Sequence, residues 1–223
     1  MTKSNIREKI KKYVFDHEGD LFGITPAQRL NKAPEGHRPT DLMPGAKSII
    51  VVGKRCLKGM VDTAPSFPWA IEYDRLNRLL EDLAYGIARK VEDMGFNALP
   101  VPVTGYGMRQ TSYLDFLCLL SLRHAAVAAG IGGFGKNQLL LSPEFGPRIR
   151  LTAILTDKVI DFDPPFNKRI CTDCNMCIKA CPSGALSKHG IDKSRCSCQL
   201  LENARKFGSG ICGVCIKVCP IGK

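Results

Sequence analysis

A chain of 223 residues, 44% hydrophobic and 24% charged, has the balance of a folded, water-soluble protein and excludes a disordered one. Its length accommodates two units, one of about 150 residues and one of about 55. The formal charge of +11 comes from scattered Lys and Arg without a dense basic run, which reads as a solvated surface and not as a nucleic-acid tract.

Residues 1–12 are polar and basic, with isolated Ile6 and Ile10, and lack the apolar centre of an export signal. No stretch is apolar for long enough to span a bilayer, since even 114–122 is broken by Asp115 and Ser121. A cytoplasmic protein without a membrane partner is the expectation.

In chain order, Ser4 precedes Ile6, Ile10 and Val14 at helical spacing, which predicts an amphipathic opening helix closed near Gly19. Residues 21–24 read as a short strand. Pro26, Pro34, Pro39 and Pro44 punctuate an irregular connection to 48–52, a β-branched run typical of a buried central strand. From 73 to 94 the stripe Leu76, Leu79, Leu80, Leu83, Ile87 and Val91 predicts a helix that stops at Gly95. Leu99, Val101 and Val103 alternate as a strand does, 113–129 reads as a second helix leading into a glycine-rich loop, and 151–155 is a further strand. The prediction is an α+β unit over 1–163, a seam at Pro164 and Pro165, and a cofactor unit over 164–223.

Nine of the eleven cysteines crowd this last unit. In a reducing compartment that distribution argues for metal ligation over disulfides. Cys171, Cys174, Cys177 and Cys181, followed by Pro182, match C-x2-C-x2-C-x3-C-P, the bacterial ferredoxin run whose fourth cysteine serves the other cluster. Cys212, Cys215 and Cys219 with Pro220 repeat the pattern without its first cysteine, so Cys196 or Cys198 must supply it, with Cys196 favoured. The cross-over then assigns Cys171, Cys174, Cys177 and Cys219 to one [4Fe-4S] cluster and Cys181, Cys196, Cys212 and Cys215 to a second. A zinc ribbon is the competing reading, but it takes four ligands in paired C-x2-C units. Each oxidised cluster adds about two negative charges, which leaves the loaded protein basic. Cys56 and Cys118 sit among apolar neighbours and are expected to be small buried hydrophobes.

Two clusters form a short electron wire, and 163 residues ahead of them exceed what a bare carrier needs, so the front unit is expected to hold an acceptor. Gly130, Gly132 and Gly135 satisfy G-x-G-x-x-G, yet the motif follows a helix where a dinucleotide fingerprint follows a strand. Lys136 is followed by Asn137 where a phosphate-binding loop needs Ser or Thr. What remains is a loop of small residues that permits close approach of a planar ligand or of another chain segment.

Residues 124–137 (HAAVAAGIGGFGKN) and 142–148 (SPEFGPR), with 151–157 and the double-cluster region through Pro220, resemble epoxyqueuosine reductases and their relatives, the reductive dehalogenases. The resemblance implies a nitroreductase-like domain that binds cobalamin above a ferredoxin-like 2×[4Fe-4S] domain, for reductive removal of oxygen or halogen from a substrate. Cofactor contacts would come from His124, Gly130, Gly132, Gly133, Gly135, Lys136 and Asn137. In this family an aspartate shortly before the loop donates a proton, and Asp115 lies one position out of register from it; Tyr113, Arg109 and His124 are the other candidates nearby. The resemblance further implies a low-potential electron donor such as ferredoxin or flavodoxin, and a small-molecule or tRNA-borne substrate. Two departures weaken the tRNA reading: Gly133 stands where the family carries tryptophan, and the chain reads as a short form without the family's helical repeats after the clusters. An electron-transfer or corrinoid-reactivating protein and an FMN-dependent reductase are the alternative readings.

Overall fold

The computed structural model describes residues 6–103 and 118–222. The elements in chain order are α1 (Ile6–Asp16), β1 (Leu21–Pro26), α2 (Pro39–Leu42), β2 (Ser48–Arg55), α3 (Lys58–Asp62), α4 (Phe67–Glu92), β3 (Ala98–Val101), α5 (Leu122–Ala128), β4 (Gly133–Phe134), β5 (Leu140–Leu141), β6 (Ile149–Thr156), α6 (Met176–Lys179), β7 (Leu186–Ser187), β8 (Gly190–Ile191), α7 (Lys193–Phe207) and α8 (Val214–Lys217).

The front unit is a three-layer α+β sandwich. Its four-stranded sheet runs β1-β2-β6-β3 with every pair antiparallel, Ser48 facing Thr156 and Arg55 facing Ile149 in the central ladder. Because side chains alternate along a strand, successive residues of β2 and β6 feed two cores. Ile50, Val52 and Ile154 pack under α1 and α4 against Ile10, Val14, Leu83, Ile87 and Val91. Ile49, Val51, Ala153 and Leu155 point the other way, against Leu30 and the alanines Ala125, Ala126 and Ala129 of α5 and its end. Burial on both faces explains why 49–52 is an unbroken apolar run.

The expected elements form, with shifted bounds. The opening helix closes at Glu18 and Gly19 as expected: Glu18 takes φ 60°, and the Gly19 N–H donates to the Val14 carbonyl at 2.8 Å. The long helix starts six residues before its expected first residue, because the Ser66 hydroxyl accepts from the Trp69 N–H and Pro68 occupies the first turn. In the span expected to be helical over 113–129, residues 118–121 are not helical and α5 begins at Leu122; 113–117 lie outside the described residues.

Asp163 holds the seam to the front sheet. It accepts two hydrogen bonds from the Arg7 guanidinium at 2.7 and 3.0 Å and one from the Ile24 N–H at 2.8 Å, and its carbonyl accepts from Arg29. A third apolar cluster joins the C-terminal region to the front unit: Cys56, Val61, Ala64, Trp69, Ala70 and Leu76 with Ile211, Phe207 and Ile216. No helix among the described residues is long and apolar enough to cross a membrane.

Candidate metal centre and adjoining cavities

The first cysteine run is a loop that closes on α6, with Asp173 and Asn175 both in left-handed backbone geometry. It brings Cys171, Cys174 and Cys177 together, and Cys219 joins them from the far end of the chain. Burial pushes the Cys177 thiol up, the Ile178 N–H opposes this, and Cys171, Cys219 and Cys174 push it further up. Cys219 is likewise raised, first by burial and then by Cys174 and Cys171, while the Ile221 N–H pulls the other way. A void of about 20 Å³ lies among these four cysteines, Lys136 and Asn137.

Cys181, Cys196, Cys212 and Cys215 form the second group. Cys196 is raised by burial and by Cys181 and Cys212; Cys215 is pushed up to about 12, by burial and then by Cys212, Cys196, Cys177 and Cys181. Cys198, two residues along α7, is exposed. Cys177 and Cys215 sense one another across the two groups, so the quartets are neighbours.

Cys181 shifts down, where Cys177, Cys196, Cys212, Cys215 and Cys219 shift up. Burial raises it, but the N–H groups of Leu186, Ala185 and Ser183 and the Ser183 hydroxyl outweigh that. A lowered thiol pKa keeps thiolate present to lower pH, and thiolate is the form that alkylates. In cluster-free protein, iodoacetamide is therefore expected to label Cys181 ahead of the raised thiols Cys196, Cys212 and Cys215, with a rate that persists further as pH falls from about 9 toward 7. Cys56, pushed up to about 12 by burial, should stay unlabelled; mass spectrometry of peptides labelled across the pH series checks both.

Among the described residues no three His, Cys, Asp or Glu side chains are placed to hold one metal ion. Thiols that feel one another without converging on a point suit the corners of a cubane better than a tetrahedral zinc. The donor set fits an iron–sulfur cluster in both quartets.

The glycine loop meets mostly its own chain. A Cβ on Gly130 would press on the Pro164 carbonyl, one on Gly132 on the Leu141 carbonyl, and one on Gly135 on Asn137 and Leu141. Lys136 reaches over the first cysteine loop to Asn175 Oδ1 at 3.0 Å and Asp173 at 3.2 Å. Asn137 is buried and points its amide at the Cys215 carbonyl, 3.5 Å away. Gly133 lies beside Phe166. These contacts place the loop against the cluster region, with the close approaches of Gly130 and Gly132 made to protein backbone and those of Gly135 to side chains. His124 hydrogen-bonds Ser121 Oγ through Nδ1 at 2.7 Å and packs on Phe134; burial, then the Arg123 charge, lower its pKa, so the ring is neutral near pH 7. Asp115, Tyr113 and Arg109 lie outside the described residues.

Two cavities adjoin the metal region, and no sequence motif marks either. One, of about 310 Å³, is walled by Trp69, Tyr73, Val103, Leu140, Ile149 and Leu151, with Ile216 of α8 on the side of the second quartet. The other, of about 650 Å³, is lined by Arg29, Lys32, His37, Arg123, His124 and Lys193 and, among the described residues, by no carboxylate. Cys118, Ser121 and Arg123 line both, so the two are adjacent. Cys118, expected to be a buried hydrophobe, is an exposed residue on these walls; 118–121 is a bent segment ahead of α5 and not part of a helix.

A 4Fe-4S binding domain model matches residues 164–187, the stretch of the first cysteine run. The chain resembles the epoxyqueuosine reductases. It is 29% identical over 210 residues to the epoxyqueuosine reductase of Synechococcus sp. (strain CC9605), covering 84% of this chain and 60% of that protein. It is 31% identical over 114 residues to the tetrachloroethene reductive dehalogenase of Sulfurospirillum multivorans, covering 44% of this chain and 23% of that one. A crystal structure of epoxyqueuosine reductase with an epoxyqueuosine-modified tRNA-Tyr stem loop superimposes with a TM-score of 0.69 at 20% identity, over 97% of this chain and 65% of that chain. The fold is thus that of these reductases. The chain spans about 60% or less of the length of the two curated relatives named.

Proposed function

We propose that this chain is an iron–sulfur oxidoreductase that passes low-potential electrons through two [4Fe-4S] clusters into a cofactor held by the front unit, for reductive removal of oxygen or halogen from a substrate. The observation that carries the reading is the pair of neighbouring cysteine quartets, the second of which backs onto an apolar cavity through α8. Cys171, Cys174, Cys177 and Cys219 hold one cluster; Cys181, Cys196, Cys212 and Cys215 hold the other. A soluble donor of the ferredoxin or flavodoxin kind feeds them.

The adjoining cavities suit a cofactor with a flat apolar body and an anionic arm. Trp69, Tyr73 and Leu151 offer the wall for the body, and Arg29, Lys32 and Lys193 the field for the arm. The resemblance makes cobalamin the first choice; when bound it supplies the nucleophilic metal centre of the reduction. The chain's own share is to hold the clusters, exclude water from the apolar wall, and present a neutral His124 and the basic side chains to the ligand. Asp115 is assigned as the proton donor, and the substrate is a small molecule or a base carried on tRNA.

FMN also has a planar ring and a phosphate, and the same cavities favour it as the second reading. Anaerobically reconstituted protein should hold about eight irons per chain and show a saturable spectral change with hydroxocobalamin but none with FMN. Saturable FMN binding without a cobalamin response overturns the corrinoid assignment, and colourless or zinc-loaded protein overturns the electron path.

A further inference from the structure

Trp69 Nε1 is the one buried side-chain nitrogen or oxygen among the described residues without a hydrogen-bond partner. An N–H left unpaired in an interior loses its hydrogen bond to water without replacement, so an isolated case points to an acceptor outside the polypeptide. The residue is 2% exposed, and its ring edge and Ala64 both lie against Gly213. A Cβ on Gly213 would overlap the Nε1–Cε2 edge of the indole, so the N–H edge lies directly on the turn between Cys212 and Cys215. Lys217 Nζ donates to the Ala64 carbonyl at 3.2 Å and fixes α8 to the same place.

The second quartet is already ringed by donors from elsewhere in the chain. Cys181 has three N–H groups and the Ser183 hydroxyl; Cys212 has the Val214 N–H and the Asn203 amide, whose Nδ2 also donates to the Ile211 carbonyl at 2.7 Å. Cys215 lies two residues beyond Gly213, the glycine next to the Nε1–Cε2 edge of the indole, and Ile216, which follows it, packs in the same apolar cluster as Trp69. The indole N–H thus meets the turn that carries Cys212 and Cys215, and no group of the polypeptide accepts its hydrogen bond.

We propose that the Trp69 indole donates a hydrogen bond to a sulfur of the second cluster and thereby raises that cluster's reduction potential. The inference rests on the two-cluster reading given above. A hydrogen bond to sulfur stabilises the more negative, reduced cluster, and such bonds are among the levers that set cluster potentials. Trp69 belongs to α4 of the front unit and lines the apolar cavity, so the donor couples the cluster to the wall on which the acceptor cofactor would sit.

The test is an EPR-monitored redox titration of Trp69→Phe beside the parent protein, with the iron content of both measured first. Loss of the bond should make reduction of one cluster about tenfold less favourable, a fall of about 59 mV for one electron, and leave the other cluster in place. Pulsed EPR after exchange into D2O should show one exchangeable deuteron near the reduced second cluster that the variant lacks. If Trp69→Phe does not assemble clusters, replacing the indole with benzothiophene removes only the N–H and keeps the shape. Eight irons with both potentials unmoved and the deuteron retained overturn this inference alone, whereas a parent protein without iron overturns the two-cluster reading as well.

Discussion

Replacing Cys196 with alanine is expected to cut the iron content from about eight to about four atoms per chain, while Cys198→Ala keeps about eight. Both residues belong to α7, and at 3.6 residues per turn two positions two apart lie about 200° around the helix from each other. Asn203, seven residues after Cys196 and so within about 20° of it around the helix, is buried and reaches the Ile211 carbonyl next to Cys212. Cys196 stands within electrostatic reach of Cys181 and Cys212, and Cys198 is exposed. An exposed substitution away from such contacts changes stability by about 0.5 kcal/mol or less, so Cys198→Ala serves as the matched control. Iron determination with EPR of the reduced proteins reads the outcome. The reverse pattern, iron lost from Cys198→Ala and retained in Cys196→Ala, would remove Cys196 from the second cluster.

How much of this is legible in the residues alone follows from the range over which each feature is decided. Cluster ligation is decided within a few residues, since three corners of a cubane must be reached by one short loop, and so Cys171, Cys174 and Cys177 announce themselves. The choice between Cys196 and Cys198 is decided by which face of a helix packs inward, which spacing does not encode. The sheet strands are visible because β2 and β6 are buried on both faces. The β4–β5 pair has two residues on each strand, too few to carry a period. The start of α4 escapes the apolar pattern because its signal is a cap, Ser66 with Pro68, and the stripe begins only later. The glycine loop has the composition of a ligand cradle, but Gly130, Gly132 and Gly135 are needed by close contacts to Pro164 and Leu141, which lie elsewhere in the chain. The cavities are assembled from several separate segments, and no local pattern foretells them.

The same kind of long-range contact makes Gly146→Ala a second large effect, and one that should strike the first cluster selectively. Gly146 closes a tight turn in which its N–H and carbonyl both pair with Ser142, at 2.9 and 3.0 Å, and it takes φ +55°. A left-handed conformation costs an alanine about 1 kcal/mol. The greater cost is steric: the new methyl would overlap the Ile221 carbonyl oxygen and lie 2.7 Å from its carbon. Ile221 has no room to yield freely, because Arg148 donates to that carbonyl at 3.4 Å and Gly222 is pressed on Phe145 and Gly146. Overpacking of this kind adds about 1–3 kcal/mol, for a total loss of about 2–4 kcal/mol. The displaced segment carries the Ile221 N–H that supports the Cys219 sulfur, and Cys219 is the distant fourth ligand assigned to the first cluster. Gly208→Ala is the comparison: it has φ +73° at the end of α7 with nothing within 4 Å of the added Cβ, so it bears the backbone cost without the collision. Thermal unfolding should separate the two variants by several degrees, and chelator-driven iron release should accelerate in Gly146→Ala for about half of the iron only. If the two variants unfold and release iron alike, the contact between the 142–146 turn and Ile221 does not hold the first cluster in place.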